Sequence, residues 1–330
     1  MTRLRTQTSL FFLLVAWFGV IAFALHMLLS SEINRWKIHF DEDVRTVVSD
    51  VKQKLDTNEA VLAGFSAFLQ AVDRSDTDST IKYAAAVASA YPHIYMIEVA
   101  RKVALSEQRD LEASLRRGWR ADFSIKDFAR LAKHPAQDDD KKAATWPILF
   151  MYPSLPETQA IYGVRLESVD FLSRSVALAQ KNTRPVVSPV FKMYEGGEAY
   201  ILLQEVSRPS SKSSSDMNFF GNTMMAMLLI KTQALMPKRS NLGKQEYLHV
   251  SATLAAAGNA DSLLFEQQAV EHGKIDRLFL PNFTRRLTIE NFSQPTVMVF
   301  DRQLRWADLL SRDIIPMLVL LGGALVLVPW

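Results

Sequence analysis

Hydrophobic and polar positions follow three rhythms along this chain, and each predicts a different kind of element. The first is unbroken apolarity. Leu10–Leu29 is uncharged, and its roughly 20 residues suffice for a helix to cross a hydrocarbon core of about 30 Å. Ile314–Trp330 is a second such run, close to the lower limit of about 17 residues for a span. The second rhythm is helical. Phe40, Val44, Val47, Val51, Leu55, Leu62, Phe65, Leu69 and Val72 recur at three- and four-residue steps, with Asn58 in the one polar slot. That spacing lays a single apolar stripe along a helix. No proline or glycine interrupts Glu32–Ala63, so a long stalk helix is expected over residues 31–72.

The third rhythm is that of strands. Ile94–Val99, Pro147–Tyr152, Ala160–Leu166, Val186–Tyr194 and Ala199–Val206 are rich in apolar and β-branched residues. Helical stretches are expected at Thr80–Tyr91, Ser106–Arg117 and Val169–Lys181. Glu195-Gly196-Gly197-Glu198 has the chemistry of a tight hairpin turn. Pro209–Asp216 is dominated by serine and reads as a linker. Beyond it the strand pattern restarts at Met224–Ile230, Tyr247–Thr253, Arg285–Phe292 and Thr296–Phe300, with a short helix near Lys231–Met236.

The organisation that follows is α+β. Residues 1–9 form a cytoplasmic N-terminus, 10–30 a first transmembrane helix and 31–72 the stalk. Residues 73–208 form a membrane-distal module, 209–216 a linker, 217–312 a membrane-proximal module and 313–330 a second transmembrane helix. Arg3 and Arg5 precede the first run without an acidic neighbour, which places the N-terminus inside and the modules outside. The run exceeds the 7–15 apolar residues typical of a secretory signal core, so an uncleaved anchor is expected over a cleaved signal peptide. A stalk stripe of this length packs along its own domain or is shared in a homodimer, and one broad stripe can do both.

Composition narrows the chemistry. There are no cysteines, which excludes disulfides and thiolate metal sites. The 38 basic and 35 acidic residues nearly cancel, and two of the basic ones are Arg3 and Arg5. The region between the runs therefore offers no electrostatic case for nucleic acid. The histidines show no metal spacing, and no zinc-protease, serine-hydrolase or phosphate-loop motif is present. No cofactor is expected. Trp146, Phe150, Tyr152, Tyr162, Phe191 and Tyr194 fall on strands of the first module. Most such aromatics belong to a core, and a few can line a small-molecule pocket. Glu98 and Glu167 lie on or beside strands and form a candidate carboxylate pair for an exported hydrolase.

Several ordered segments resemble one family. Ala100–Glu112 (ARKVALSEQRDLE) is similar to a basic-valine segment followed by glutamate, arginine and a closing acid. Pro147–Pro153 (PILFMYP) is similar to a strand of form P-V-x-Y-I-x-P, and Tyr162–Ser168 (YGVRLES) to a G-x-D-L element. A helix with Arg174 and Ala177 then leads into Val186–Pro189. Together they resemble CHASE, the extracellular sensory domain of cytokinin receptors and of bacterial histidine kinases and diguanylate cyclases. The resemblance spans about Phe40–Phe300. It implies a long stalk helix carrying two PAS-like modules, with a ligand in the distal one. In the plant receptors a carboxylate directly after the G-x-x-L element hydrogen-bonds an adenine ring, and Glu167 holds that position. A backbone group on the next strand completes the contact, at the position of Val187. The resemblance thus implies Glu167 and Val187 around a small molecule of adenine type, and the strand aromatics Tyr152, Phe150 and Phe191 are the ones expected to line its pocket. Arg165 stands where many bacterial members carry aspartate.

The expectation is a membrane-anchored sensor that signals through its second span to a cytoplasmic output domain or partner. A homodimer through the stalk helix is expected with it. The competing readings are an envelope assembly protein using the fold as a binding platform, and the hydrolase.

Overall fold

The computed structural model describes residues 2–128, 144–182, 184–193, 196–209, 219–237, 248–255, 262–269 and 273–309. The second apolar run, the charged stretch His134–Lys142 and all of the serine-rich linker except Pro209 lie outside these residues. Helix α1 (Thr2–Ala71) is 70 residues long, about 105 Å at 1.5 Å per residue. It joins the apolar run and the stalk without a break, and its N-terminal part is long and apolar enough to cross a membrane. Phe18 and Phe23 of that part are exposed, with no cover among the described residues.

Helix α2 (Thr77–Ala90) follows a polar turn. Asp73 accepts bonds from the Ser75 amide and hydroxyl, and Asp76 caps α2 by accepting from the Ser79 amide at 2.8 Å. Strands β1 (Ile94–Arg101) and β2 (Val103–Ala104) lead into α3 (Gln108–Gly118). Then come β3 (Ala144–Thr145), β4 (Ile148–Tyr152), α4 (Asp170–Lys181), β5 (Val186–Val187), β6 (Phe191–Lys192), β7 (Glu198–Ser207) and β8 (Thr223–Lys231). Short helix α5 (Thr232–Leu235) is followed by β9 (His249–Leu254) and β10 (Ser262–Gln267). Helix α6 (Lys274–Phe279), β11 (Asn282–Ile289), β12 (Thr296–Gln303) and α7 (Trp306–Leu309) complete the described chain.

Two antiparallel sheets pack against α1. The larger has the order β4-β1-β8-β7-β5, with β6 also paired to β7. The smaller has the order β10-β9-β12-β11. Residues Phe40 to Leu69 of the predicted stripe are buried in one apolar core with side chains of both sheets, and Val72 packs at its edge. Each such side chain stabilises the fold by about 1.5–3 kcal/mol through burial. The stripe is thus covered within a single chain, and a stalk-to-stalk dimer has to use another face of α1.

Three expectations change. Strand β8 pairs with β1 and β7, so it is a central strand of the first sheet and not the start of the second module. The serine-rich segment is therefore part of a β7–β8 connection, and the boundary between sheets falls between Lys231 and His249. Ala160–Leu166 is not a strand. It holds two 3₁₀ segments, Pro156–Ile161 and Leu166–Ser168, around Gly163. Gly163 has φ +80°, and a Cβ there would collide with the Ser124 carbonyl oxygen. Strand β10 had no counterpart in the sequence pattern. The glycine pair behaves as its chemistry predicts: Gly196 and Gly197 have φ +93° and +84° and connect β6 to β7.

Candidate ligand face and interdomain joint

Strand alternation gives the larger sheet two unlike faces. Ile97, Val99, Phe150, Tyr200, Leu202 and Leu228 point toward α1. Met96, Met151, Met225, Met227, Ile201 and Leu203 point to the other side. There Tyr162, Leu166, Leu172 and Val176, from the 3₁₀ segments and α4, cover them. Met193 joins the same cluster. Glu98 stands on this second face, in register with Met151 on one neighbour and Met227 on the other, and is only 5% exposed. Long, unbranched methionines adapt their shape at little cost, which suits a wall that has to fit a variable occupant.

The cover is fixed by backbone bonds. The Ile148 amide donates to Val164 O, the Gly163 amide to Ile148 O, and the Leu166 amide to Trp146 O, at 2.8–3.0 Å. On the outer side Lys126 N donates to Gly163 O and Arg165 N to Lys126 O. Arg165 also forms a charge-assisted bond to Asp127, with Nε donating at 2.6 Å, so the basic residue in the G-x-D-L position has its own acidic partner.

The five residues expected around a ligand are divided by this arrangement. Glu167 closes the cover against β3: its Oε1 accepts from the Thr145 hydroxyl at 2.5 Å and its Oε2 from the Trp146 amide at 3.1 Å. Phe191 lies on the same side of the sheet and stacks on Phe171 of α4, with ring centroids 4.2 Å apart. Phe150, Tyr152 and Val187 instead pack into the core beneath α1. Strands β4 and β5 are also at opposite edges of the sheet, about 19 Å apart at a strand spacing near 4.8 Å. The structure therefore leaves Phe191 on the methionine-lined side and Phe150, Tyr152 and Val187 on the opposite one, with Glu167 in the cover beside β3, across the sheet from β6. The alternation of β4 was readable in the sequence, but not which parity meets the stalk.

Glu98 lies beside β4, whereas Glu167 bonds Trp146, two residues before β4 begins. Glu98 is level with Met151 and Glu167 with Trp146, about 16 Å apart along the strand. Glycosidase carboxylates stand roughly 5–9.5 Å apart. No group of three or more histidine or acidic residues able to hold a metal occurs among the described residues.

A second constellation connects the two sheets. Asn58, the one polar residue in the α1 stripe, is fully buried and donates to Tyr200 Oη at 3.2 Å and to Gln294 Oε1 at 3.1 Å. Tyr200, on β7, donates its own proton to Gln294 Oε1 at 2.7 Å. Gln294, in the β11–β12 connection, donates to the Leu55 carbonyl at 3.2 Å. His93 reaches Asn58 Oδ1 at 3.0 Å, so all of the Asn58 amide is used. Burial pushes the Tyr200 phenol well above its ordinary value and keeps it a neutral donor. Burial, followed by the charge of Lys54, lowers the pKa of His93. Around this hub, Glu59 accepts from the Ser293 amide and hydroxyl at 2.8 and 2.5 Å, and Asp56 from the Asn291 amide group at 3.0 Å. Four segments of the chain thus meet in one satisfied polar network inside an apolar core. Sequence marked only Asn58, as an interruption of the stripe.

Comparison with known proteins agrees with the architecture. No curated protein matches the chain. The sequence profile of the CHASE domain matches residues 70–265, more than half of the chain. The match runs from the end of α1 through the larger sheet to β10 and contains every segment on which the resemblance rests. CHASE domains are sensory domains, extracellular in receptors. This chain belongs to the CHASE-domain family.

Proposed function

We propose that this protein is a membrane-anchored extracytoplasmic sensor, in which a small molecule occupies the methionine-lined face of the larger sheet. The observation that carries this reading is the single core shared by α1, the larger sheet and the smaller sheet, closed by the Asn58–Tyr200–Gln294 network. A sheet that changes its curvature around a ligand displaces Tyr200, and Tyr200 is bonded to the helix and to the smaller sheet. The two sheets with their covering helices act as PAS-like modules, distal and proximal. The smaller sheet ends at α7, next to the second apolar run, which serves as the second span and carries the signal to a cytoplasmic output domain or partner. The sensor works as a homodimer through a face of α1 other than the buried stripe.

A ligand shifts this balance only as far as it binds one conformation better than the other. Glu98 places a carboxylate in the centre of the face, while Glu167 holds the cover closed against Thr145 and Trp146. A carboxylate at the Glu98 position accepts from the exocyclic amine and a ring N–H of a purine. The test is thermal unfolding of the full chain in nanodiscs against adenine and other purine bases. A base at a hundred times its Kd raises stability by about 2.7 kcal/mol. Glu98→Gln is expected to abolish that shift while leaving the unliganded protein folded. A shift of equal size in wild type and Glu98→Gln, or none with any purine, contradicts the proposed ligand face.

A further inference from the structure

Helix α6 exposes three large apolar side chains that no other described residue covers. Ile275, Leu278 and Phe279 are 66%, 76% and 67% exposed, and their three- and four-residue spacing puts them on one side of the helix. The other side is firmly held. Asp276 Oδ1 accepts from the Trp306 amide at 3.2 Å, and Gln303 Nε2 donates to the Asp276 and Leu280 carbonyls at 3.2 and 3.0 Å. Leu280, at the end of α6, is buried with Leu304 and Leu309 in a cluster against which Leu29, Ile33 and Trp36 of α1 pack.

Those α1 residues fix the level of the patch. The uncharged run ends at Leu29, and the next turns to Trp36 rise only about 10 Å. The headgroup layer is roughly 5–7 Å thick on each side of the hydrocarbon core, so α6 stands where a bilayer gives way to water. The surroundings have the composition of that zone. Trp36 and the partly exposed Trp306 flank the patch, and Arg277 and Arg35 are exposed beside it. Trp36 donates its indole proton to the Asp308 carbonyl at 3.0 Å and lies under the Arg302 guanidinium, 4.6 Å from the ring centre.

We propose that α6 is an interfacial anchor. Ile275, Leu278 and Phe279 seat in the headgroup–acyl boundary of the leaflet that faces the sheets, and Arg277 meets lipid phosphate. The partner is therefore a lipid surface. This rests on α1 crossing the membrane, which the patch continues sideways. Through Gln303 and Trp306 the anchor is bonded to the end of β12 and the start of α7, so the leaflet holds the smaller sheet at a fixed height.

The natural chain lacks cysteine, so single cysteines can report position. Phe18→Cys, Leu278→Cys and Arg117→Cys are labelled with bimane in the full chain, in phosphatidylcholine–phosphatidylglycerol nanodiscs with and without lipids carrying nitroxides at depths from the headgroup to the end of the acyl chain. The expected result is quenching at position 278 comparable to that at 18 and several-fold above that at 117. Quenching at 18 but not at 278 overturns the anchor and leaves the span intact. Absence of quenching at 18 removes the span and the anchor with it. Copper-catalysed crosslinking of 278 to 278 without lipid quenching assigns the patch to a second copy and also overturns the proposal.

Discussion

The two faces of the larger sheet are built from the same strands and yet obey different rules. The face toward α1 is made of Ile97, Val99, Phe150, Tyr200 and Leu202, branched or aromatic side chains with few rotamers. It is pinned at Tyr200 by a hydrogen-bond network that reaches the smaller sheet. The other face sets Met96, Met151, Met225 and Met227 beside Ile201 and Leu203 around Glu98, beneath a cover of 3₁₀ turns and one helix. Stiff, branched packing transmits displacement because it has no alternative arrangement close by. Methionine packing absorbs displacement. The difference teaches that one sheet can receive a ligand on its soft side and report it from its hard side.

The largest effect is expected at the cover. Gly163→Ala forces a Cβ onto the Ser124 carbonyl at φ +80° and should cost about 3 kcal/mol or more. Urea unfolding would show this, and a cost under 1 kcal/mol would mean that the cover is not fixed. Next comes the contrast in packing. Leu62→Ala on the stalk side should cost about 2–5 kcal/mol, whereas Met227→Leu on the soft side should cost less than about 1.5 kcal/mol. Equal losses in the two variants would erase the distinction between faces.

A smaller effect belongs to the joint. Tyr200→Phe removes one donor from the buried Gln294 Oε1 and should cost about 1–3 kcal/mol. A double-mutant cycle with Gln294→Ala should give a coupling of about 0.5–3 kcal/mol, and additivity would show that the sheets are not joined there. The smallest effect is acid sensitivity. His93 has its pKa lowered by burial, so between the ordinary value of 6.5 and its folded value the unfolded chain binds more protons. Stability is therefore full above pH 6.5 and falls as the pH drops through that window. His93→Gln should flatten this acid limb in melting curves taken across the range.

Much of the scaffold was legible because its signals are local. The stripe from Phe40 to Val72 needs only three- and four-residue steps, and each of its apolar members reaches the core. The strands that became β1, β7, β9 and β12 were visible for the same reason. What was hidden is non-local. A serine-rich segment looks like a domain boundary whichever sheet the next strand joins, and only the pairing of β8 with β1 and β7 decides that. Tyr162–Leu166 carries strand-forming residues but is bent by Gly163 into a cover. The site residues were partly legible. Phe191 reached the helix-covered face, whereas Phe150 and Tyr152 share a strand with Met151 and point the opposite way. Strand parity is written in the sequence. Which parity meets the stalk is set by the packing of the whole sheet.

The most direct measurement is amide hydrogen exchange on the full chain in nanodiscs, with a stabilising purine base at saturation. The account predicts slower exchange in β1, β8 and α4 around the soft face. It also predicts a concurrent change at residues 291–296, where the smaller sheet is bonded to Tyr200 and Asn58. Protection that stays within the larger sheet, or that appears in the smaller sheet alone, would contradict the division of labour between the two faces.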